Sequence, residues 1–347
     1  MAKKLLNEFS WSFSRYNTFL ECQKKYWYTY YGSWEGWPKT PYDSRTSIDP
    51  LASKLYLLKN IQSLAMFIGS CVHETIEWYL KNGKKEVSCK ELIDNALLKF
   101  SQGIEDSKLS HYLKHPKKYK NIFEYYYKQG LENIAEKQEQ AKVKIETSLT
   151  NWYNSPIVRD LIFSDQSKIV SVEELAFVMI EKLYKVIVVI DLALKRQTKD
   201  NEEIMMLFDW KTGQENEKNE KQLLLYALFA NRTWNTPFDK ILLTPFYVFS
   251  NTYEKIGCRQ EKEITQDQID ALEKEIIENC KTLVSLVPDW KTPAIAKTPE
   301  PQNFCYTEDR RKCSRCSFQE MCQGVNYENV SQDELREFVE KNNPVLT

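Results

Sequence analysis

The spacing of apolar residues changes near residue 169 of the chain. Before that point, apolar residues recur every three to four positions, which is the spacing of a buried helix face. The helices predicted from this spacing cover 61–82, 90–104, 118–141 and 146–163. One or two helices are also expected within 11–31, with Ser12 or Ser14 as the N-cap. The stretch 32–60 contains Gly, Pro and Ser and is predicted to be a loop.

Beyond residue 169, runs rich in Val, Ile, Met and Phe predict β-strands. The strands are expected at 169–180, 184–194, 203–210 and 239–249. A helix at about 216–231 separates the third strand from the fourth. Thr265-Gln-Asp-Gln268 and Ser331-Gln-Asp-Glu334 have the spacing of a capping box, and each predicts the start of a helix. From residue 61 the predicted order is helix, helical insertion, three strands, helix, strand, helix, which is an α/β fold.

The composition excludes several classes of protein. The 347 residues carry 48 Lys and Arg against 49 Asp and Glu, so the formal net charge is −1, and 42% of the residues are hydrophobic. This balance excludes an intrinsically disordered chain and a general coating of nucleic acid, although it is compatible with one local basic groove. The sequence has no Gly-x-Gly-x-x-Gly and no Gly-x4-Gly-Lys-Ser/Thr motif, so nothing in it predicts a dinucleotide site or an ATP-driven motor.

The sequence also predicts where the protein resides. No apolar run approaches the roughly 18–20 residues that span a bilayer. The segment Met1–Phe9 lacks the apolar core of a signal peptide. We therefore expect a cytoplasmic protein without membrane contact, associated with the nucleoid at most.

Three of the nine cysteines are closely spaced. Cys313, Cys316 and Cys322 form a Cys-x2-Cys-x5-Cys pattern beside several basic residues, which favours a bound metal over a disulfide scaffold. Thiolates select zinc or an iron–sulfur cluster. A fourth ligand is required, and the spacing alone leaves both Cys305 and the distant Cys22 as candidates.

The second and third predicted strands bring two carboxylates together. If the polar stretch 195–201 forms a turn centred near residue 200, Asp191 lies opposite Asp209. Carboxylates in directly opposed positions repel each other, and a bound cation offsets that repulsion. Lys211 is two residues beyond Asp209 and therefore points to the same face of the sheet. Two carboxylates and a lysine predict a hydrolytic site for Mg²⁺ or Mn²⁺, and a pair of surface acids bridged by a lysine is the alternative.

With three further residues, this group resembles the RecB-like branch of the PD-(D/E)XK nuclease superfamily. His73, in Gly69-Ser-Cys-Val-His73, is similar to the metal-binding histidine of that branch. Ile190-Asp191 matches the first motif, with Ile where the family name has Pro. Asp209-Trp-Lys211 matches the (D/E)-x-K motif, and Gln222-Leu-Leu-Leu-Tyr226 matches the Gln-x3-Tyr motif.

The resemblance implies a restriction-endonuclease-like core, in which helices flank a mixed central sheet, and the large helical insertion lies outside the resemblance. The segments implied are an N-terminal helical segment with one cluster cysteine (1–60), a core helix with the histidine (61–83), the helical insertion (84–168), the nuclease α/β core (169–290) and a cluster-binding segment (291–347).

A subset of the branch carries a four-iron cluster. It includes CRISPR-associated adaptation nucleases, AddB-type helicase–nuclease subunits and the eukaryotic replication nuclease–helicase. One cysteine precedes the histidine in these proteins, and three follow with Cys-x2-Cys-x5-Cys spacing. The resemblance therefore implies that Cys22, rather than Cys305, joins Cys313, Cys316 and Cys322 to hold a [4Fe-4S] cluster between the N- and C-terminal segments. A zinc ion in the same four-cysteine site is the alternative.

The resemblance also implies a role for each site residue. The implied metal ligands are His73, Asp191, Asp209 and the backbone carbonyl of Trp210, and the implied catalytic residues are Asp191, Asp209 and Lys211. Gln222 and Tyr226 would contact the nucleic-acid backbone and support the site. The implied reaction is Mn²⁺- or Mg²⁺-dependent hydrolysis of DNA by an exonuclease acting on single strands or ends, in repair, recombination, or CRISPR or mobile-element DNA processing.

Substrate and partner are less constrained by the sequence. Aromatic residues at 124–128 and Trp27 would stack on single-stranded bases if they were exposed, and core packing is the alternative. Because the chain has no motor, a helicase or another DNA-processing protein is the expected partner. Two other functions stay open, namely a non-catalytic cluster-bearing scaffold that binds nucleic acid and a nuclease acting on RNA at the same site.

Overall fold

The computed structural model describes residues 6–39, 48–82, 87–213, 218–258, 260, 262–288, 290, 295, 297–323 and 331–342. They form two compact units, and each is assembled from segments that are distant in sequence. The first unit comprises the described residues of Met1–Ser63, Gly103–Leu131 and Glu278–Thr347. The second comprises those of Leu64–Gln102 and Glu132–Ile277.

The described residues form both α-helices and β-strands. The α-helices are α1 (Phe13–Glu21), α2 (Gln23–Trp27), α3 (Pro50–Lys59), α4 (Leu64–Lys81), α5 (Cys89–Lys108), α6 (Phe123–Tyr126), α7 (Ile134–Asn154), α8 (Lys218–Trp234), α9 (Gln266–Val284), α10 (Gln319–Gln323) and α11 (Gln332–Asn342). The strands are β1 (Ile61–Gln62), β2 (Asn121–Ile122), β3 (Ser167–Ile180), β4 (Tyr184–Gln197), β5 (Glu203–Lys211), β6 (Ile241–Tyr247), β7 (Thr252–Tyr253) and β8 (Ile256–Gly257). None of the helices formed by the described residues is long and apolar enough to cross a membrane.

A six-stranded mixed sheet forms the centre of the second unit. The strand order is β3-β4-β5-β6-β7, and β8 also pairs with β6. Neighbouring strands are antiparallel from β3 to β5, whereas β5 and β6 are parallel and are connected through α8. Helix α8 packs on the sheet, and α4 packs on β3 and α7. The predicted α/β class, with helices flanking a mixed sheet, is therefore confirmed.

Two hairpins set the register of the three strands β3, β4 and β5, on which Asp191 and Asp209 lie. Gln197 pairs with Glu203, so the β4–β5 turn is centred near residue 200, as predicted. Ile180 pairs with Tyr184, which centres the β3–β4 turn near residue 182. Both turns are short, and each therefore fixes which side chains lie opposite each other on the paired strands.

Side-chain caps begin the helices where the sequence predicts them. The Ser12 hydroxyl accepts a hydrogen bond from the Arg15 N–H at 3.2 Å, which identifies Ser12 rather than Ser14 as the cap of α1. At the start of α9 the Gln268 N–H donates to the Thr265 hydroxyl at 3.3 Å, and the Thr265 N–H donates to the Gln268 side chain. The same reciprocal pair opens α11 at Ser331. The two predicted capping boxes are thus confirmed.

One loop prediction and one helix prediction are wrong. Part of the predicted loop 32–60 is α3, because the Asp49 carboxylate accepts a hydrogen bond from the Leu51 N–H at 3.0 Å and Pro occupies the first helical position. The predicted helix 118–141 is interrupted by β2, which pairs in parallel with β1. That pairing joins residues 60 positions apart, so helical spacing alone could not reveal it.

The first unit has an aromatic core, and this corrects the expected role of Trp27. Trp27 is fully buried, and its indole N–H donates to the Pro299 carbonyl at 2.6 Å. Trp11, Tyr26 and Tyr28 are fully buried as well. Core packing, the alternative for Trp27, is therefore confirmed, because a ring without exposed surface cannot stack on a base.

The tyrosines at 126 and 127 are also engaged within the first unit. The Tyr126 hydroxyl donates to the Glu320 carboxylate at 2.8 Å, and the Tyr127 hydroxyl donates to the Ser317 carbonyl at 2.7 Å. The Lys54 ammonium completes the group, 3.0 Å from the other Glu320 oxygen. These contacts tie the half-buried tyrosines at 126 and 127 to the segment that carries the closely spaced cysteines.

Candidate active site

Three elements of the second unit bring the predicted metal ligands together. Asp191 lies on β4, Asp209 near the end of β5, and His73 on α4. Helix α4 buries the stripe of apolar residues that precedes and follows His73, so the histidine lies at the border of the packed face, half-buried. Gly69 lies one helical turn earlier, and a Cβ there would be 3.2 Å from the Thr212 hydroxyl. The glycine therefore permits a close approach between α4 and the chain that follows β5.

Asp191 is held by the backbone of the neighbouring strand. Its Oδ2 accepts a hydrogen bond from the Trp210 N–H at 2.6 Å, and the residue is buried. The Trp210 ring lies in the core, stacked on Phe208 with 5.3 Å between the ring centroids and edge-on to Trp152. Packing of Trp210 thus fixes the end of β5, and with it the donor that orients the Asp191 carboxylate.

Glu173, which the sequence analysis did not identify, joins His73 and Asp191. Ligand atoms of these three residues all lie within 4.8 Å of one another. His73 Nδ1 is 3.1 Å from Glu173 Oε1 and 3.7 Å from Asp191 Oδ2. The β3–β4 turn is the feature of the sequence that indicates Glu173. A turn centred near residue 182 places residue 173 opposite residue 191. The β4–β5 turn pairs Asp191 with Asp209 by the same argument.

The backbone at Glu173 has an unusual conformation for a strand. Its φ angle is +50°, in the left-handed region that residues other than Gly and Asn seldom adopt. Nearby, the β3–β4 register shifts between Ile169 and Ser171. Strained backbone of this kind persists where the surrounding structure requires a side chain in one place. Here it directs the Glu173 carboxylate to the histidine.

A chain of hydrogen bonds connects Asp209, Lys211, Gln222 and Tyr226. The Lys211 ammonium is 2.9 Å from Asp209 Oδ2 and donates to the Gln222 side-chain oxygen at 3.2 Å. The Gln222 amide donates to the Tyr226 hydroxyl at 2.6 Å, and that hydroxyl donates to Asp209 Oδ1 at 3.2 Å. Tyr226 is buried, so its geometry favours support of Asp209 over contact with a substrate.

The acidic groups are electrostatically crowded. Burial raises the pKa of Asp191 to about 8, and the negative charges of Asp209 and Glu173 act in the same direction. Burial also raises the pKa of Asp209, against the attraction of the Lys211 ammonium. Burial alone would lower the pKa of His73, but Asp191 and Glu173 outweigh it and raise the pKa to about 9. A divalent cation would relieve this crowding, and the carboxylate oxygens suit Mn²⁺ or Mg²⁺.

We expect the affinity of this site for Mn²⁺ to depend steeply on pH. Ligands must lose their protons before they bind a metal. Because the pKa values of the facing groups Asp191 and His73 are both raised, the metal-free pair retains a proton below about pH 8, and Mn²⁺ must displace that proton. Affinity should therefore rise with pH, by about ten-fold or more per unit between pH 6 and 8. Titrations that follow free Mn²⁺ by electron paramagnetic resonance at pH 6, 7, 8 and 9 measure this, and a flat profile would contradict it.

Replacing Glu173 with Gln should weaken Mn²⁺ binding by about 10- to 100-fold, the range for loss of a group that binds or orients a metal ligand. The substitution preserves size and removes the negative charge that faces His73. Glu174→Gln is the matched control, because Glu174 is the adjacent glutamate and is exposed. Equal Mn²⁺ affinity in the two variants would exclude Glu173 from the site.

The predicted cluster cysteines lie together in the first unit. Cys22, Cys313, Cys316 and Cys322 all line one cavity of about 310 Å³. Cys22 begins α2, and the other three lie in and around α10. All four are free thiols. The structure thus brings together residues that are separated by about 290 positions in sequence.

Two of the thiols in the four-cysteine cavity are buried close to other cysteines, which raises their pKa values. Burial raises the pKa of Cys316 to about 11 and that of Cys322 to about 12, and the nearby cysteines add to both shifts. A bound metal would be needed to hold both groups as thiolates at neutral pH. Cys305 is exposed and lines an adjacent groove together with Cys22, rather than the four-cysteine cavity.

Two comparisons with known proteins bear on this site. Residues 10–323 match the protein family described as the PD-(D/E)XK nuclease superfamily. The matched range includes all of the candidate site residues and all four of the clustered cysteines. A search among curated proteins gave no match.

Proposed function

The chain belongs to the PD-(D/E)XK nuclease superfamily, and from this premise we propose that it is a Mn²⁺- or Mg²⁺-dependent nuclease of the RecB-like branch. The observation that carries the proposal is the convergence of His73, Glu173 and Asp191 beside the Asp209–Lys211 ion pair. Imidazole and carboxylate ligands next to a lysine are the groups that metal-assisted phosphodiester hydrolysis requires.

Each residue has a distinct part in the proposed mechanism. His73, Glu173, Asp191 and Asp209, with the Trp210 carbonyl, would hold the metal. The metal, when bound, polarises the scissile phosphate and lowers the pKa of a water molecule. Lys211 orients the attacking water and stabilises the negative charge that develops on the phosphate oxygens.

Gln222 and Tyr226 are proposed to position the catalytic groups. Gln222 accepts from the Lys211 ammonium, and Tyr226 donates to Asp209. Burial keeps the pKa of Tyr226 well above its usual value, so the hydroxyl stays protonated and remains a donor. The two residues together hold the ammonium and the carboxylate in fixed orientations, which reduces the reorganisation needed during reaction.

We propose that the four-cysteine site holds a [4Fe-4S] cluster rather than zinc. A tetrahedral zinc ion with Zn–S bonds of about 2.3 Å brings its sulfurs to roughly 3.8 Å from one another. The four cysteines line a cavity of about 310 Å³. A cavity of this size has room for a multi-atom cluster bound by thiolates, whereas zinc would draw the four sulfurs together around one ion.

The proposed substrate is DNA, either single-stranded or at duplex ends, and the proposed mode is exonucleolytic. Phosphate contacts position a strand without reading its sequence, so little sequence preference is expected. We place the activity in repair, recombination, or CRISPR or mobile-element DNA processing, where a helicase or another DNA-processing protein would supply opened strands. Localisation in the cytoplasm is part of the same proposal.

Anaerobic assays with Mn²⁺ on end-labelled oligonucleotides test the substrate. The panel contains single-stranded DNA, blunt duplex DNA, a single-stranded DNA circle and RNA of the same sequence. Progressive shortening of linear single-stranded DNA, with no cutting of the circle, is the expected result. Cutting of the circle would show endonucleolytic action, and a preference for RNA would move the substrate to that class. Protein that binds DNA but cleaves none of these would favour the scaffold function.

A further inference from the structure

The β3–β4 hairpin has one covered face and one open face. Val178, Val186, Val188 and Ile190 are buried on the covered face. Residues at intervening positions point the other way, because side chains alternate along a strand. Two of them are large apolar residues with high exposure, namely Leu175 at 75% and Phe177 at 50%. We define the open face by Leu175, Phe177, Ile187 and Val189.

The open face continues directly into the candidate active site. Leu175 pairs with Val189 and Phe177 pairs with Ile187 across the hairpin. Every second residue of a strand lies on the same face, so one face of β4 carries Ile187, Val189 and Asp191. Phe177 is therefore about 13 Å along the strands from the Glu173–Asp191 pair, at about 3.3 Å per residue.

Positive charge lies at the far end of the same face. The Lys185 ammonium is 4.9 Å from the centre of the Phe177 ring. Lys185 is also two residues before Ile187, which places it on the open face by strand alternation. An aromatic ring with a neighbouring ammonium is the combination with which proteins bind a base and its phosphate without reading sequence.

We propose that the open face is the path of a single nucleic-acid strand leading to the metal site, with a base stacked on Phe177, a second against Leu175, and a phosphate near Lys185. This inference rests on the proposed nuclease function, and it specifies that the substrate strand is unpaired next to the cleavage site. It assigns base stacking to β3 in place of Trp27, Tyr126 and Tyr127, which are engaged in the first unit.

The extent of the exposed surface favours a strand over a protein partner. Stable protein interfaces bury roughly 1,200–2,000 Å² in total. Leu175 and Phe177 contribute only two exposed large apolar side chains to this face, whereas one ring is sufficient to stack a base. The open face also lies beside the carboxylates that are proposed to bind the metal. A substrate strand has to pass there, since the scissile phosphate must reach that metal.

The test measures oligonucleotide affinity with the full-length protein carrying Lys211→Ala, so that the probe is not cut. A fluorescein-labelled oligo(dT) probe is titrated in the presence of Mn²⁺ and followed by anisotropy. Phe177→Ala should weaken binding by about 5- to 150-fold, the effect that base–aromatic stacking has on affinity. Phe177→Trp should restore it, and Leu175→Ser should weaken it less. Leu98→Ala is the matched control, because Leu98 is an exposed apolar residue (58%) on α5 of the same unit.

An abasic oligonucleotide separates stacking from phosphate contacts. It should bind the Lys211→Ala protein as weakly as oligo(dT) binds the Phe177→Ala form. Because Phe177 is half-exposed, its truncation leaves no internal cavity, and unchanged Mn²⁺ affinity verifies the fold. Affinity within two-fold of the parent in Phe177→Ala, or full affinity for the abasic probe, would overturn the proposal and leave the face to a protein partner. Cleavage by the wild-type protein is scored separately, so loss of the strand path and loss of the nuclease function are distinguishable.

Discussion

Lys211→Ala should reduce Mn²⁺-dependent DNA cleavage by about 10²- to 10⁴-fold, the range for removing a general acid–base group or a donor that stabilises developing charge. The Lys211 ammonium lies 2.9 Å from Asp209 and is the positively charged side chain held in the site by Gln222. Mn²⁺ affinity should change only a few-fold, because His73, Glu173 and Asp191 keep their positions. Single-turnover cleavage and Mn²⁺ titration, made on the same preparation, measure the two effects separately.

Asp209→Asn and Lys142→Ala complete this comparison. Asp209→Asn keeps the shape of the side chain and removes its charge, so it should lower both cleavage and metal affinity. Lys142 lies on α7, where it pairs with Glu139 at 2.7 Å on the surface, and its removal should leave cleavage unchanged. Lys211→Ala protein that cleaves at the wild-type rate would show that the reaction takes place elsewhere.

The second large effect is expected from Cys22→Ser. Loss of this ligand should release iron and remove the brown colour, because a four-iron cluster needs four thiolates. It should also destabilise the first unit, since the proposed cluster would link Cys22 to Cys313 and close a loop of about 290 residues. A single cross-link around a loop of about 100 residues contributes about 4.7 kcal/mol on a chain-entropy treatment. We therefore expect a loss of about 3–5 kcal/mol, or roughly 6–20 °C in melting temperature.

Cys305→Ser is the matched control for the cluster. Cys305 is exposed and outside the four-cysteine cavity, so its substitution should leave iron content and melting temperature unchanged. Iron and acid-labile sulfide are measured after anaerobic purification, together with absorbance near 400 nm. Stoichiometric zinc without iron in the wild-type protein would contradict the cluster proposal and favour the simpler four-thiolate zinc site.

The sequence was informative wherever short-range geometry decides the structure. A polar turn centred near residue 200 was enough to place Asp191 opposite Asp209, because strand alternation leaves no freedom once the turn is fixed. Gln222 and Tyr226 are four residues apart, and this spacing places them on one helix face. The hydrogen bond between their side chains has that arrangement.

Features that depend on tertiary contacts were not predictable in the same way. The β3–β4 turn is enough to place Glu173 opposite Asp191, but the contact of Glu173 with His73 depends on where α4 packs, which no local pattern contains. The sequence makes Trp27 a candidate for base stacking, and its complete burial excludes that role. Whether an aromatic residue is inside or outside is decided by long-range packing, which no local pattern contains.

In the proposed mechanism, one metal ion held by His73, Glu173, Asp191 and Asp209 allows this chain to hydrolyse DNA. The most direct measurement adds Mn²⁺ stepwise to metal-depleted protein with an intact four-cysteine site, and records bound Mn²⁺ and cleavage of end-labelled single-stranded DNA in the same samples. We predict that cleavage rises in proportion to the bound Mn²⁺, and that Asp191→Asn loses both. Protein that binds Mn²⁺ at this site yet leaves DNA and RNA intact, or that cleaves without it, would contradict the claim.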